Sequence, residues 1–354
     1  MNETAENRGN WREAVSRIAA RAGAVDVHDA WPGESLADLT ACGAMGWAVP
    51  REEGGSGLEA VELHRRYEAI CGACMTTGLA FTQRDSAVGL LARGDRSEAV
   101  RKTLGELAAG KIFATIGISQ LTTSRQHLPP AVRAERAPRG YVLDGAVPWV
   151  TSLHHSERII VGAVLADRQQ ILVALNSAAA GVELGEPMKL AALTGSDTGE
   201  IKLRRVFVEE ADLLRGPCEN ALAGPGREFG LTPCVLPLGV AAAAVAQAAE
   251  LARTQLCVDA AAELKRQLEE LRERVYAVGV STREEIEKHG PSLRAEANSL
   301  ASRATLAALE LAKGHGFVAG EAAQRRAREA LFFFVWSSPR AVMEQTLAAL
   351  AKHG

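Results

Sequence analysis

From Trp11 to about Ile112 the apolar residues recur at intervals of three and four, the spacing that lines one face of a helix. The pattern breaks at Pro32-Gly33, from Pro50 to Gly57 and at Gly94-Asp95, so a bundle of several helices is predicted. Near Phe113 the pattern changes. Tyr141 to Leu143, Arg158 to Val164, Gln170 to Leu175 and Ile201 to Val208 are short, β-branched and bounded by Gly, Pro or Asp, which predicts strands of a mostly antiparallel unit. Helical spacing returns after Gly226 and holds almost to the end, interrupted at His289-Gly290-Pro291 and from Gly314 to Gly320. The most apolar stretch, Pro233 to Ala246, soon meets Gln247 and Glu250, well short of the ~20 residues a membrane span needs. It is read as a buried helix, with no membrane insertion.

Helices, then strands, then helices make an α+β multi-domain design: an N-terminal helical bundle (1–112), a central antiparallel β-domain (113–222) and a C-terminal helical bundle (223–354). At 354 residues the chain exceeds one simple core and can bury a cofactor between its units. Lys plus Arg number 40 against 43 Asp plus Glu, and this net charge of -3 supplies no field that would draw the protein to nucleic acid. Met1 to Asn10 is polar, with no basic start or apolar core of a secretory signal, which points to a cytoplasmic protein.

Six scattered cysteines argue against a disulfide framework. Cys71 and Cys74 form a C-x-x-C, but within the helical pattern from Glu59 to Leu79, where helix packing explains them. The charged stretch from Lys265 to Lys288 reads as solvated helix faces. A dinucleotide-binding G-x-G-x-x-G, a P-loop and a G-x-S-x-G elbow are all missing from the sequence.

Met45 to Leu58, MGWAVPREEGGSGL, resembles the glycine-rich loop after an early helix in acyl-CoA dehydrogenases. Ser97 to Gly110 is similar to that family's L-x-x-L-A-x-G helix, and Phe113 to Gln120 takes the place of its first flavin-contacting strand. Tyr141 to Thr151, YVLDGAVPWVT, resembles the strand pair ending in W-I-T, and Gly195 to Leu214 the segment that closes the β unit. The motifs follow the family's order across nearly the whole chain. The resemblance implies an FAD-dependent oxidoreductase that desaturates an acyl-CoA, or related acyl thioester, between its α and β carbons, in a homo-dimer or homo-tetramer. A carboxylate takes the α-proton while the flavin takes the β-hydride, and water is excluded. The resemblance places Ser119, Trp149 and Thr151 at the flavin's reactive edge, and Gly314 and Gly316, in KGHGF, at the phosphates of a neighbouring subunit's cofactor.

Departures fall on the same sites. Arg328-Glu329-Ala330 resembles the family's R-D-A, and the register from there puts Ser337 where the catalytic glutamate stands. Serine is no base near neutral pH without an activator. The alternative base position, on the first helix of the last domain, is Phe229, with Glu228 beside it. The family's T-E-P-G-A-G-S-D loop reads Ser119 to Arg125 without its glycines, which touches CoA recognition. Glu310 replaces a glutamine near the phosphates, and Arg253 with Leu256-Cys257 only approximates R-x-x-F-G. His154 and His155 follow Thr151 and have the chemistry of a replacement base, but are read as solvated, as is His315. Two further readings stay open: a flavin monooxygenase of the same fold, which needs no α-proton acceptor, and a catalytically inactive scaffold or partner subunit.

Overall fold

The computed structural model describes residues 5–94, 97–122, 129–223 and 230–352. The N-terminal apolar stripes fold as α1 (Ala5–Val27), α2 (Gly33–Ala41), α3 (Ala60–Ala73), α4 (Met75–Arg93) and α5 (Glu98–Ala108). Their core is aromatic. Trp47 meets Trp11 and Phe81 edge to face, with centroids 6.3 and 6.0 Å apart, and Arg66 lies 4.3 Å from the Trp47 ring centroid. Tyr67 donates to Asp85 at 2.6 Å, and Arg84 satisfies the other Asp85 oxygen and the Leu107 carbonyl, so this buried charge is paired.

The glycine-bounded, β-branched segments form β1 (Ala114–Gly117), β2 (Val132–Ala137), β3 (Gly140–Val150), β4 (Arg158–Val164), β5 (Gln170–Asn176), β6 (Val182–Leu184), β7 (Gly199–Glu209) and β8 (Leu213–Cys218). A short helix, α6 (Ser119–Thr122), follows β1. The sheet order is β6-β7-β3-β2-β4-β5-β8, with β1 added in parallel to β4. Apart from β1–β4 and the single β2–β4 bridge, the pairings are antiparallel. Both faces are covered. Along β4, Ile159 and Val161 enter one apolar cluster, and Ile160 enters another shared with Val88 and Leu91 of α4 and Leu104 of α5.

The remaining helices are α7 (Thr232–Leu251), α8 (Gln255–Gly279), α9 (Arg283–Ala312), α10 (Ala322–Phe332) and α11 (Arg340–Lys352). Leu63 and Ile70 of α3 share one apolar core with Val235 and Leu238 of α7 and Leu293 and Leu300 of α9, so both ends of the chain build it together. α3 and α7 cross where Gly72 faces Gly239, and a Cβ on Gly239 would stand 2.3 Å from the Glu68 carbonyl oxygen. Among the described residues α7 alone is long and apolar enough to cross a membrane, and most of it is buried in this core. The charged face of α8 is tied down as well as solvated: Arg272 gives Glu68 two hydrogen bonds, at 2.9 and 2.7 Å, and Tyr276 a third at 2.6 Å.

Two local expectations change. Pro291 does not interrupt a helix, because α9 runs through it from Arg283 to Ala312 and the neighbouring Gly290 has open space around it. The Cys71 and Cys74 pair does not share one helix. Cys74 is extended (φ -154) and separates α3 from α4, so that Gly78 can lie under Cys71, where a Cβ would come within 2.4 Å of Sγ.

Candidate active site

β3 runs antiparallel to β7, and their register shifts between Val147 and Val150. Trp149 lies in that irregularity and presents its ring, 49 % exposed, at the end of the strand. Thr151 follows, half-buried, with Oγ1 3.1 Å from Thr198 Oγ1, which is 2.9 Å from Ser196 Oγ. The main chain closes the corner: Ser152 N donates to Ser196 O and Leu153 N to Asp197 O, each at 2.9 Å. Ser152, Leu193 and Asp197 all have left-handed backbone, with φ of +60, +66 and +51. Each such residue costs about 1 kcal/mol or more, so the surrounding hydrogen bonds must hold it there.

The corner also holds a histidine and a carboxylate. His154 N donates to Asp197 Oδ2 at 2.7 Å, and His154 Nδ1 lies 3.0 Å from Oδ1. A carboxylate oxygen accepts here, so Nδ1 carries a proton, and in the neutral ring the lone pair is then on Nε2. Asp197 is buried, and the His154 side chain is 40 % exposed. His155 stacks on Trp31 at 4.0 Å with planes 7° apart, and burial lowers its pKa and keeps it neutral. The two histidines are therefore not simply solvated, because a buried carboxylate and an indole hold them. Asp197 was hidden in the sequence as one acidic residue in GSDTGE, with no one-dimensional mark of its partner 43 positions earlier.

Ser119 opens α6, just beyond β1. A Cβ on Gly117 would meet Val147 at 2.8 Å and Val150 at 3.3 Å, so the end of β1 lies against the end of β3 that carries Trp149 and Thr151. Gln120 fixes the start of α6 by donating to Gly117 O and Gly162 O, at 3.0 and 2.9 Å. Thr123, Ser124, Arg125, Glu228 and Phe229 lie outside the described residues.

Gly314 and Gly316 sit in a tight turn, Lys313–Phe317, packed on α9 and α10. Only Gly316 is demanded by packing: a Cβ there would stand 2.4 Å from that of Ala312, while Gly314 and His315 are exposed, with open space around Gly314. Arg253 donates to the carbonyls of Glu250, at 2.6 Å, and Ala252, at 3.1 Å, and so caps its own helix, while Glu310 is exposed. Ser337 is exposed with φ +42, and the buried Arg294 donates to its carbonyl and to that of Trp336. The nearby Glu329 is no substitute base at the surface. It is 3 % exposed, 3.7 Å from Arg325, and burial pushes its carboxyl up to about 7.

Residues 3–111 match the family model for the acyl-CoA dehydrogenase N-terminal domain. This N-terminal unit is thus similar to that of the acyl-CoA dehydrogenases. A probable acyl-CoA dehydrogenase of Bacillus subtilis, YngJ, is 28 % identical over 58 % of this chain and 56 % of its own length. Benzylmalonyl-CoA dehydrogenase of Aromatoleum aromaticum is 24 % identical over 66 % of this chain and 63 % of its own length. The chain thus spans less than two thirds of these curated relatives. The solved butyryl-CoA dehydrogenase of Megasphaera elsdenii superposes with a TM-score of 0.83 at 19 % identity over 99 % of both chains. Dibenzothiophene monooxygenase of Paenibacillus sp. A11-2 superposes with a TM-score of 0.82 at 15 % identity, covering 99 % of this chain and 98 % of its own. The fold is therefore that of the acyl-CoA dehydrogenases, a helical N-terminal domain, a central β-sheet domain and a C-terminal helical domain.

Proposed function

We propose that this chain is a cytoplasmic, FAD-dependent oxidoreductase that desaturates an acyl-CoA or related acyl thioester between its α and β carbons. The supporting observation is the exposed ring of Trp149 two residues from the linked hydroxyls of Thr151 and Thr198, with the end of β1, two residues before Ser119, packed on the same end of β3. A flat apolar face next to hydroxyl donors suits an isoalloxazine, so Trp149 would cover the ring while Thr151 and Ser119 would meet its polar edge. The bound flavin would supply the hydride acceptor. The turn at Gly314 and Gly316 would serve a cofactor in a neighbouring copy. A homo-dimer or homo-tetramer would also cover Phe317, Val318, Leu331 and Val335, which are 53 to 78 % exposed in the single chain.

Purified protein should show oxidised-flavin absorbance that an acyl-CoA bleaches without oxygen, and Trp149→Ala should release the flavin. Protein that takes up no flavin when it is supplied sinks the reading. A flavin monooxygenase is the second reading, and Ser337 favours it, since the resemblance puts this exposed residue at the position of the family's carboxylate and oxygen activation needs no α-proton acceptor. Bleaching by acyl-CoA excludes it.

A further inference from the structure

Neither residue of the Trp336-Ser337 turn has a side chain that takes a proton at neutral pH, and the cation Arg294 holds the backbone beneath it. A proton acceptor does stand beside Thr151. We propose that His154, oriented and charge-balanced by Asp197, is the proton-accepting residue of this chain and acts on the α-carbon of an acyl thioester. The inference rests on the reading that Trp149 and Thr151 mark the reacting face.

The geometry carries it in three steps. Asp197 is buried and spends both oxygens on His154, one on its backbone N–H at 2.7 Å and one on Nδ1 at 3.0 Å. In the neutral ring that selects the Nδ1–H tautomer and puts the accepting lone pair on Nε2 of a partly exposed side chain. The backbone around the pair is left-handed at Ser152, Leu193 and Asp197, an arrangement that a solvated surface histidine would not require. The corner also joins the hydroxyls: Thr198, next to Asp197, contacts Thr151 at 3.1 Å, so the histidine and the proposed flavin edge share one rigid turn.

The charged and titratable neighbours are compatible with this role. His155 lies 3.8 Å from the same carboxylate but is stacked on Trp31, and Glu157 adds a second negative charge nearby. In the step itself the α C–H bond breaks and its proton passes to Nε2. The electron pair remains on the thioester as its enolate, and Asp197 balances the imidazolium. Nothing is oxidised, and return of a proton from water restores both partners.

This half-reaction is measurable without turnover. Phenylacetyl-CoA has acidic α-protons and no β-hydrogen, so it can exchange but not be desaturated. Incubated in heavy water with the protein as purified, it should gain α-deuterium by mass spectrometry, and His154→Gln should slow the gain about 100-fold or more with flavin retention unchanged. In a ¹⁵N-histidine spectrum, the signals that His154→Gln removes should show the Nδ1–H tautomer, and Asp197→Asn should shift that population. Unchanged exchange in His154→Gln, no exchange in the wild type, or an Nε2–H tautomer each overturns the proposal. Exchange that depends on His154 in protein without flavin keeps His154 and sinks the flavin reading instead.

Discussion

The guanidinium of Arg294 holds the main-chain carbonyl of Ser337 from inside the bundle. Another of its nitrogens takes the carbonyl of Trp336, and its charge lies 5.6 Å from the Trp336 ring centroid. One buried cation on α9 therefore sets the backbone of the turn at Trp336 and Ser337. Arg294→Ala leaves two carbonyls without their donor and should cost about 2 to 4 kcal/mol. A denaturation midpoint equal to that of the wild type would show that the turn is held by something else.

Ser337 itself has φ +42, where a Cβ is strained. Ser337→Gly should relieve that strain, against a larger loss of chain entropy on folding, for a net gain of up to about 1 kcal/mol. A loss of stability would mean that the serine hydroxyl makes a contact worth more than the strain.

The same helical region holds a titrating core carboxyl. Glu329 has a pKa of about 7 in the fold against 4.5 in a free side chain. As pH rises between those values the unfolded chain gives up a proton that the folded chain keeps, so stability falls through this window and levels off above about 7. The total is about 3 kcal/mol. Glu329→Gln should remove this slope, so the stability difference between wild type and variant should change over about pH 5 to pH 8. Parallel curves across that range would show that Glu329 ionises normally.

Much of this architecture was legible from spacing alone. Arg158 to Val164 forms β4 with those bounds, because β-branched residues fill both faces of a covered strand and leave no helical alternative. What resisted reading needs information from far along the chain. Pro291 reads as a break, yet the packing of Leu293 and Leu300 in the shared core carries α9 through it. Cys71 and Cys74 read as one helix face until Gly78 takes up the space under Cys71. At the site, Trp149 and Thr151 lie two residues apart at the end of β3, within reach of a local motif, whereas the bond between His154 and Asp197 spans three strands and the turns between them. Local rules had no access to it.

The closest helix contact gives the sharpest packing prediction. A Cβ on Gly239 would approach the Glu68 carbonyl oxygen to 2.3 Å, and one on Gly72 the Gly239 carbonyl oxygen to 2.8 Å. Neither clash is with a flexible side-chain end, so the helices must separate. Gly239→Ala should therefore destabilise by about 2 kcal/mol or more despite alanine's better helix propensity, with Gly72→Ala milder. Equal or raised melting temperatures would place the two helices farther apart than the shared core requires.

Thiol reactivity reports on the same core. Burial raises the pKa of Cys71, Cys74 and Cys234, the last to about 12, so these thiols carry almost no thiolate near neutral pH and are shielded as well. Cys218 and Cys257 are partly exposed, Cys257 near the start of α8 and Cys218 at the end of β8. A disulfide reagent added to native protein should therefore label Cys218 and Cys257 first. Cys71, Cys74 and Cys234 should react only as the bundle opens, at a rate that follows its unfolding. Mass spectrometry of the labelled peptides distinguishes the two groups. Early labelling at Cys71 or Cys74 would mean that α3 and α4 separate readily in the native state, and that the junction at Cys74 is a hinge rather than a packed corner.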